Sequence, residues 1–207
     1  MTSSQNELFK WADQLPEALW IDVRKRSPRE AAEAVGAEWD GSAFHIPLIG
    51  IGYRIDLSAR RITKVIADDR PASYQAGVVL LSALANSKGV PPSGRMVVPQ
   101  DLPGGRMFFT GAHALAIGPL ADAFERDPEA FVNRALGLGG ERIDGADVAF
   151  RIPGLPYVPL YVLLWRGDPD FPGRAVIGID DRAHFHLDLA SVFAVTNLLV
   201  GRLRKQL

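Results

Sequence analysis

The sequence contains no cysteine. That excludes a disulfide framework, a cysteine-ligated iron–sulfur cluster and a thiol nucleophile. It also lacks a long apolar run. The longest, 76–81 and 158–165, fall far short of the roughly 18 residues that a spanning helix needs. Met1 to Leu8 have neither the basic start nor the apolar stretch of a secretory leader. A cytoplasmic location is the expectation, with no membrane partner. Charge of one sign is missing too: 23 Lys plus Arg stand against 24 Asp plus Glu, a net charge of -1. Such a balance offers no global attraction for nucleic acid, and none is expected as a partner.

What is present is globular in composition. The 207 residues are 47% hydrophobic and 23% charged. A chain of this size buries about 70% of its unfolded surface, enough for a core without staples. The expectation is one domain over residues 1–207.

Residues 3–35 read as helical. Leu8, Trp11, Leu15, Leu19 and Val23 recur at three- or four-residue spacing and form one apolar stripe. Pro16 splits this stretch near the start of a second helix. Arg24, Lys25 and Arg26 would close that helix at the negative end of its dipole. Ser27-Pro28-Arg29-Glu30 starts the next helix as a capping box, and Gly36 ends it.

Residues 37–66 read as a meander. Asp40-Gly41 predicts a two-residue hairpin turn. Strands are expected at 43–47, 53–57 and 62–66, with Gly50 and Gly52 marking a bulge or a close backbone approach. Residues 71–140 form a helical middle. A helix at 71–88 is followed by a short strand at 95–98 and a turn-rich loop to Gly105. A helix at 107–124 breaks near Gly118-Pro119, and another, capped by Asp127, stops at 137–140.

The last third, 146–206, returns to strands at 146–152, 158–166 and 174–180, with 183–187 as a fourth. Asp188 then caps a final helix. This order is not a strict strand–helix alternation. It predicts an α+β fold with a mixed or antiparallel sheet packed by helices.

Candidate chemistry concentrates in the last third. Segment 165–172 joins two apolar strands through Trp165, Arg166, Gly167, Asp168, Pro169, Asp170, Phe171 and Pro172. As a ligand loop, Trp165 would stack on a planar group while Asp168 and Asp170 accept hydrogen bonds or hold a cation. As a plain turn, Asp168 would form an Asx turn and the aromatics would plug the core edge. Arg151, Arg166, Arg174 and Arg182 could clamp an anion if two share a face, or simply pair with Asp168, Asp170 and Asp181.

Gly104-Gly105-Arg106 leads into a helix whose free amides could hold a carboxylate or phosphate. It lacks any complete nucleotide-binding pattern. If 183–187 is a strand, His184 and His186 share a face, and Asp180 or Asp188 could complete a three-ligand metal site. The alternative is polar surface, with Asp188 spent on the helix cap. His113, among small residues, reads either as a ligand contact or as a surface histidine.

Several of these pieces occur together in a known order. They are the Asp-Gly hairpin, the 102–105 Leu-Pro-Gly-Gly loop, the Leu138-Gly139-Gly140 turn, and the block Trp165-x-Gly167-Asp168-x-Asp170-Phe171-Pro172 before a strand ending in Asp180. The chain resembles the prokaryotic Domain of Unknown Function 3786 family from about residue 17 to its end. The 165–172 block is the most specific part. The family has no established activity. Its link with corrinoid metabolism implies a corrinoid or another tetrapyrrole as ligand. Some members carry an added iron–sulfur segment, which this cysteine-free chain cannot supply. Pro169 also stands where the family often has an acid directly after Gly-Asp.

Three functional expectations follow. The first is an accessory protein binding a small anionic or planar ligand through Trp165, Arg166, Asp168, Asp170, Arg174, Gly104, Gly105 and Arg106, its cofactor unknown. The second is a metal-dependent enzyme with His184, His186 and Asp180 as ligands and Asp168 or Asp170 as general base. The third is an interaction protein forming a homodimer through its first or last helix.

Overall fold

Pro16 divides the N-terminal helical stretch because it has no N–H to continue the ladder. In the computed structural model, which describes residues 10–66 and 70–204, a single turn at Ala12–Gln14 is followed by α1 (Glu17–Arg24) directly after Pro16. Leu8 lies outside the described residues. Arg26 does not cap its own helix as expected. Its guanidinium donates to the carbonyls of Leu84 and Ser87 at 2.9 and 3.0 Å, closing a different helix.

α2 (Pro28–Val35) begins with Pro28 at its first position and ends at Gly36, which has φ 73°. Ser27 makes no side-chain cap bond, so the capping box does not form.

The meander is a four-stranded antiparallel sheet in the order β1 (Glu38–Trp39), β2 (Phe44–Leu48), β3 (Ile51–Asp56), β4 (Arg61–Lys64). The β1–β2 turn is longer than the two residues expected. Asp40 organises it by accepting from the amides of Ser42 and Ala43 at 2.7 and 2.8 Å and contacting His45 Nε2 at 2.8 Å. His45 and these donors hold the Asp40 carboxyl far below the usual range.

The β2–β3 turn is tighter, with Ile49 at φ 47° and Gly50 at φ 73°. A Cβ on Gly50 would lie 2.9 Å from Leu138 Cα, which is the close approach the glycine signalled.

The second sheet is also antiparallel, with strand order β5-β9-β8-β7-β6. Its members are β5 (Met96–Val97), β6 (Glu141–Arg142), β7 (Val148–Leu155), β8 (Val158–Trp165) and β9 (Arg174–Asp180). One face carries Phe150, Ile152, Leu160, Val162, Leu164 and Ile179, all fully buried. Each such side chain contributes about 1.5–3 kcal/mol relative to exposure.

Helices α3 (Tyr74–Asn86), α5 (Gly118–Arg126), α6 (Pro128–Gly137) and α7 (Leu189–Arg204) supply the opposing layer. α7 packs between α3 and the α5–α6 pair, while α5 lies on β8 and β9. Buried side chains of both sheets and these helices form one cluster. The result is an α+β fold.

Two segments depart from expectation. The 107–124 stretch breaks at Gly118-Pro119 as expected, where α5 begins, but the part before the break is not a helix: α4 (Gly105–Phe108) ends at once and a single turn at Gly111–His113 follows. Residues 183–187 are not a strand, because Ala183–Phe185 closes a 3-10 turn between β9 and α7.

Candidate functional site

The 165–172 segment folds on itself. Asp168 Oδ1 accepts from the amides of Asp170 and Phe171 at 2.9 and 2.8 Å, and Asp168 N donates to Phe171 O at 2.9 Å. This is the Asx turn. It leaves Phe171 71% exposed at the tip.

Glu125, on α5, anchors the base of the loop. Its Oε1 accepts from Gly167 N at 2.9 Å. The carboxylate passes so close to both loop glycines that a Cβ on Gly173 would lie 2.0 Å from Oε1, and one on Gly167 would lie 2.7 Å away. Asp147 supports the other side by accepting from Arg166 N at 2.8 Å. Nothing in the local sequence marks Glu125 or Asp147, whose partners lie far along the chain.

Trp165 does not present an open face on both sides. The Arg174 guanidinium stacks on its ring at 4.1 Å, as expected for cross-strand neighbours at the end of β8 and β9. Arg166 lies over the Phe124 ring at 5.7 Å. Among the described residues, the Arg166 guanidinium makes no ion pair. It lines a cleft of about 420 Å³ together with Glu125, Pro128, Gly167, Asp168, Phe171 and Pro172.

Gly104, Gly105 and Arg106 lie elsewhere. Gly104 and Arg106 line a second cleft, of about 520 Å³, with Gln100, Asp101, Leu102 and Met107, which shares no residue with the first. Gly105 is needed for packing: a Cβ there would lie 2.3 Å from the Pro99 carbonyl. α4 has only four residues, and Arg106 contacts Asp101 at 3.4 Å on the surface. Of the eight expected ligand residues, Arg166 and Asp168 line the first cleft, Gly104 and Arg106 line the second, and Trp165, Asp170, Arg174 and Gly105 line neither.

The expected metal ligands do not converge. Asp180 is fully buried and accepts from the amides of Ser93, Gly94 and Arg182 at 3.1, 2.8 and 3.0 Å. It pins the 93–94 turn and the exit of β9. His186 is 1% exposed and faces Ser87 Oγ and the Val90 carbonyl at 3.2 and 2.9 Å. Burial pushes its pKa down. His184 is exposed and donates from Nδ1 to the Asp181 carbonyl at 2.8 Å. The two rings face different partners across the 3-10 turn, and no group of three metal-binding side chains occurs among the described residues.

Asp188 accepts from Ser191 N at 2.7 Å and so caps α7 as expected. Arg151 contacts Glu141 at 3.5 Å, and Arg182 donates to the Pro91 carbonyl at 3.2 Å, so neither joins Arg166 in a clamp. His113 stacks on Phe108 at 4.5 Å. No described helix is long and apolar enough to cross a membrane.

Comparison with known proteins adds one match. The model of the family described as Domain of unknown function (DUF3786) aligns with residues 27–202. No curated protein and no solved structure matches the chain.

Proposed function

The chain belongs to the DUF3786 family, whose description assigns no activity, and we propose from the 165–173 cleft that it is a cytoplasmic, non-catalytic protein binding a small planar anion. The observation that carries this reading is the pairing, on one prefolded wall, of a guanidinium without a counter-ion and an exposed ring. The Arg166 guanidinium has no ion-pair partner among the described residues, and the Phe171 ring is exposed on the Asx turn beside it. A guanidinium recognises a carboxylate in a forked geometry, and an aromatic face suits a planar body. The loop is already closed by Asp168 and Glu125, so binding would cost little ordering entropy.

The size favours a ligand of one or two rings. A corrinoid finds less support, because none of the four imidazoles borders the cleft to reach a central metal.

Titration with benzoate, followed by the amide resonances of Gly167 and Phe171, tests this. The expected result is saturable shifts that weaken about tenfold in Arg166→Ala, a loss of roughly 1.4 kcal/mol. Cyclohexanecarboxylate should bind more weakly than benzoate. Unmoved resonances, or equal affinity in Arg166→Ala, would overturn the proposal.

A further inference from the structure

Among the described residues, His184 has one ring nitrogen, Nε2, without a hydrogen-bond partner. Its Nδ1 lies 2.8 Å from the Asp181 carbonyl, an atom that can only accept. The ring proton of the neutral form is therefore fixed on Nδ1, and Nε2 carries the free lone pair. This is how proteins orient an imidazole that is to receive something at the other nitrogen.

The ring lines a cleft of about 560 Å³ whose other walls are Pro103, Phe108, Leu187, Asp188, Leu189 and Ala190. That volume falls within the roughly 300–1,000 Å³ of small-molecule sites. The lining is mostly apolar, with two polar groups among it. Asp188 has Oδ1 committed to the α7 cap. The stretch that supplies Phe108 carries little charge: from Met107 to Ala121, His113 is the sole titratable side chain. Phe108 enters the cleft from this stretch and is backed by the stacked His113 ring.

The charges around the cleft decide what fits. Among the described residues, no guanidinium or ammonium lines this cleft to balance the Asp188 carboxylate, as Arg166 does in the other one, so an anion is repelled. A cation meets the partial positive charge at the N-terminus of α7, whose first residues Leu189 and Ala190 form part of the wall. A neutral ligand avoids both penalties. It must bury apolar surface against Phe108, Leu187 and Leu189, and it must donate one hydrogen bond to His184 Nε2. The geometry points to a second binding site, separate from the Arg166 cleft, for a small uncharged aromatic alcohol of the phenol class.

The test uses p-cresol and toluene, which differ by the hydroxyl, on the full chain. Methyl resonances of Leu187 and Leu189 and the His184 ring nitrogen signals report binding. The expected result is saturable p-cresol binding, a characteristic shift of Nε2 but not Nδ1, and at least tenfold weaker binding of toluene. His184→Leu should bring p-cresol down to the toluene level, while Arg166→Ala leaves it unchanged. Equal binding of the two probes by the wild-type protein would overturn the proposal without any variant. So would p-cresol binding that leaves the Leu187 and Leu189 methyls unmoved.

Discussion

Arg202 holds Ile49 in a left-handed turn. The guanidinium, carried on α7, donates to the Ile49 carbonyl and, through the same nitrogen, to that of Leu48. Its other terminal nitrogen donates to Tyr53 Oη at 2.8 Å. Ile49 is fully buried at φ 47°, and its amide donates to the Gly154 carbonyl at 2.8 Å. A β-branched residue at positive φ costs of order 1–3 kcal/mol and persists only where its surroundings over-determine it. Arg202, Gly154 and the apolar contacts of Ile49 do this together.

Arg202→Met should therefore cost about 2–4 kcal/mol, because it strands two carbonyls and a hydroxyl in a part-buried site. Urea unfolding checks it through a lower midpoint at unchanged slope. A loss under 0.5 kcal/mol would mean the turn holds itself.

The same cluster titrates at high pH. Burial raises the pKa of Tyr53 despite the nearby Arg202 charge. The folded state then keeps the tyrosine proton where the unfolded chain, near pH 10, begins to lose it. Stability should fall as pH rises above about 10. The fall should be shallower in Tyr53→Phe.

His186 acts in the opposite pH direction. Burial lowers its pKa, so below about pH 6.5 the unfolded chain binds a proton that the folded chain resists. Stability should drop as pH falls from 7 through this window. Val90 and Ser87 face the ring, and Asp180 and His184 are the titratable neighbours that modulate it. In His186→Gln the slope of unfolding free energy against pH should flatten between pH 7 and 5.5. An unchanged slope refutes the assignment.

Asp180→Asn presents an amide group to donors that all need an acceptor. The amides of Ser93, Gly94 and Arg182 converge on this one carboxylate. The expected cost is about 2–4 kcal/mol. Hydrogen exchange at Ser93 and Gly94 should accelerate more than exchange in β7 or β8.

Glu125 and Gly173 should couple. In the wild type, Gly173→Ala must expel the Glu125 carboxylate and break its bond to Gly167 N. In a Glu125→Ala background there is nothing to expel. A double-mutant cycle should show about 0.5–1.5 kcal/mol of coupling. Strict additivity would remove Glu125 from the account of the loop.

Much of the fold is legible in the sequence because its signals are local. Asp127 caps α6, Pro28 opens α2, Gly36 ends it, and the alternation in β2 and β3 places their strands. The Asx turn at Asp168 is legible for the same reason. Segment 183–187 misleads, because His-Phe-His mimics the two-residue period of a strand. Between the committed carboxylates Asp180 and Asp188, only a tight turn connects β9 to α7. Glu125 and Asp147 are invisible locally, since each meets its amide only after the sheet and α5 have packed. Arg26 misleads too: its position suits its own helix end, but its reach lets it close α3 instead.

The strand orders also bear on how the chain assembles. β1 to β4 pair in sequence, and so do β6 to β9, so each meander needs only short loop closures. β5 is the exception. Its two residues, Met96 and Val97, must wait for Asp180 and Ile179. Closing that long loop rewards the chain with a two-residue ladder, a poor return on the entropy lost. The edge at β5 therefore zips last, and the Ser93 and Gly94 amides that reach Asp180 hold it once it has closed.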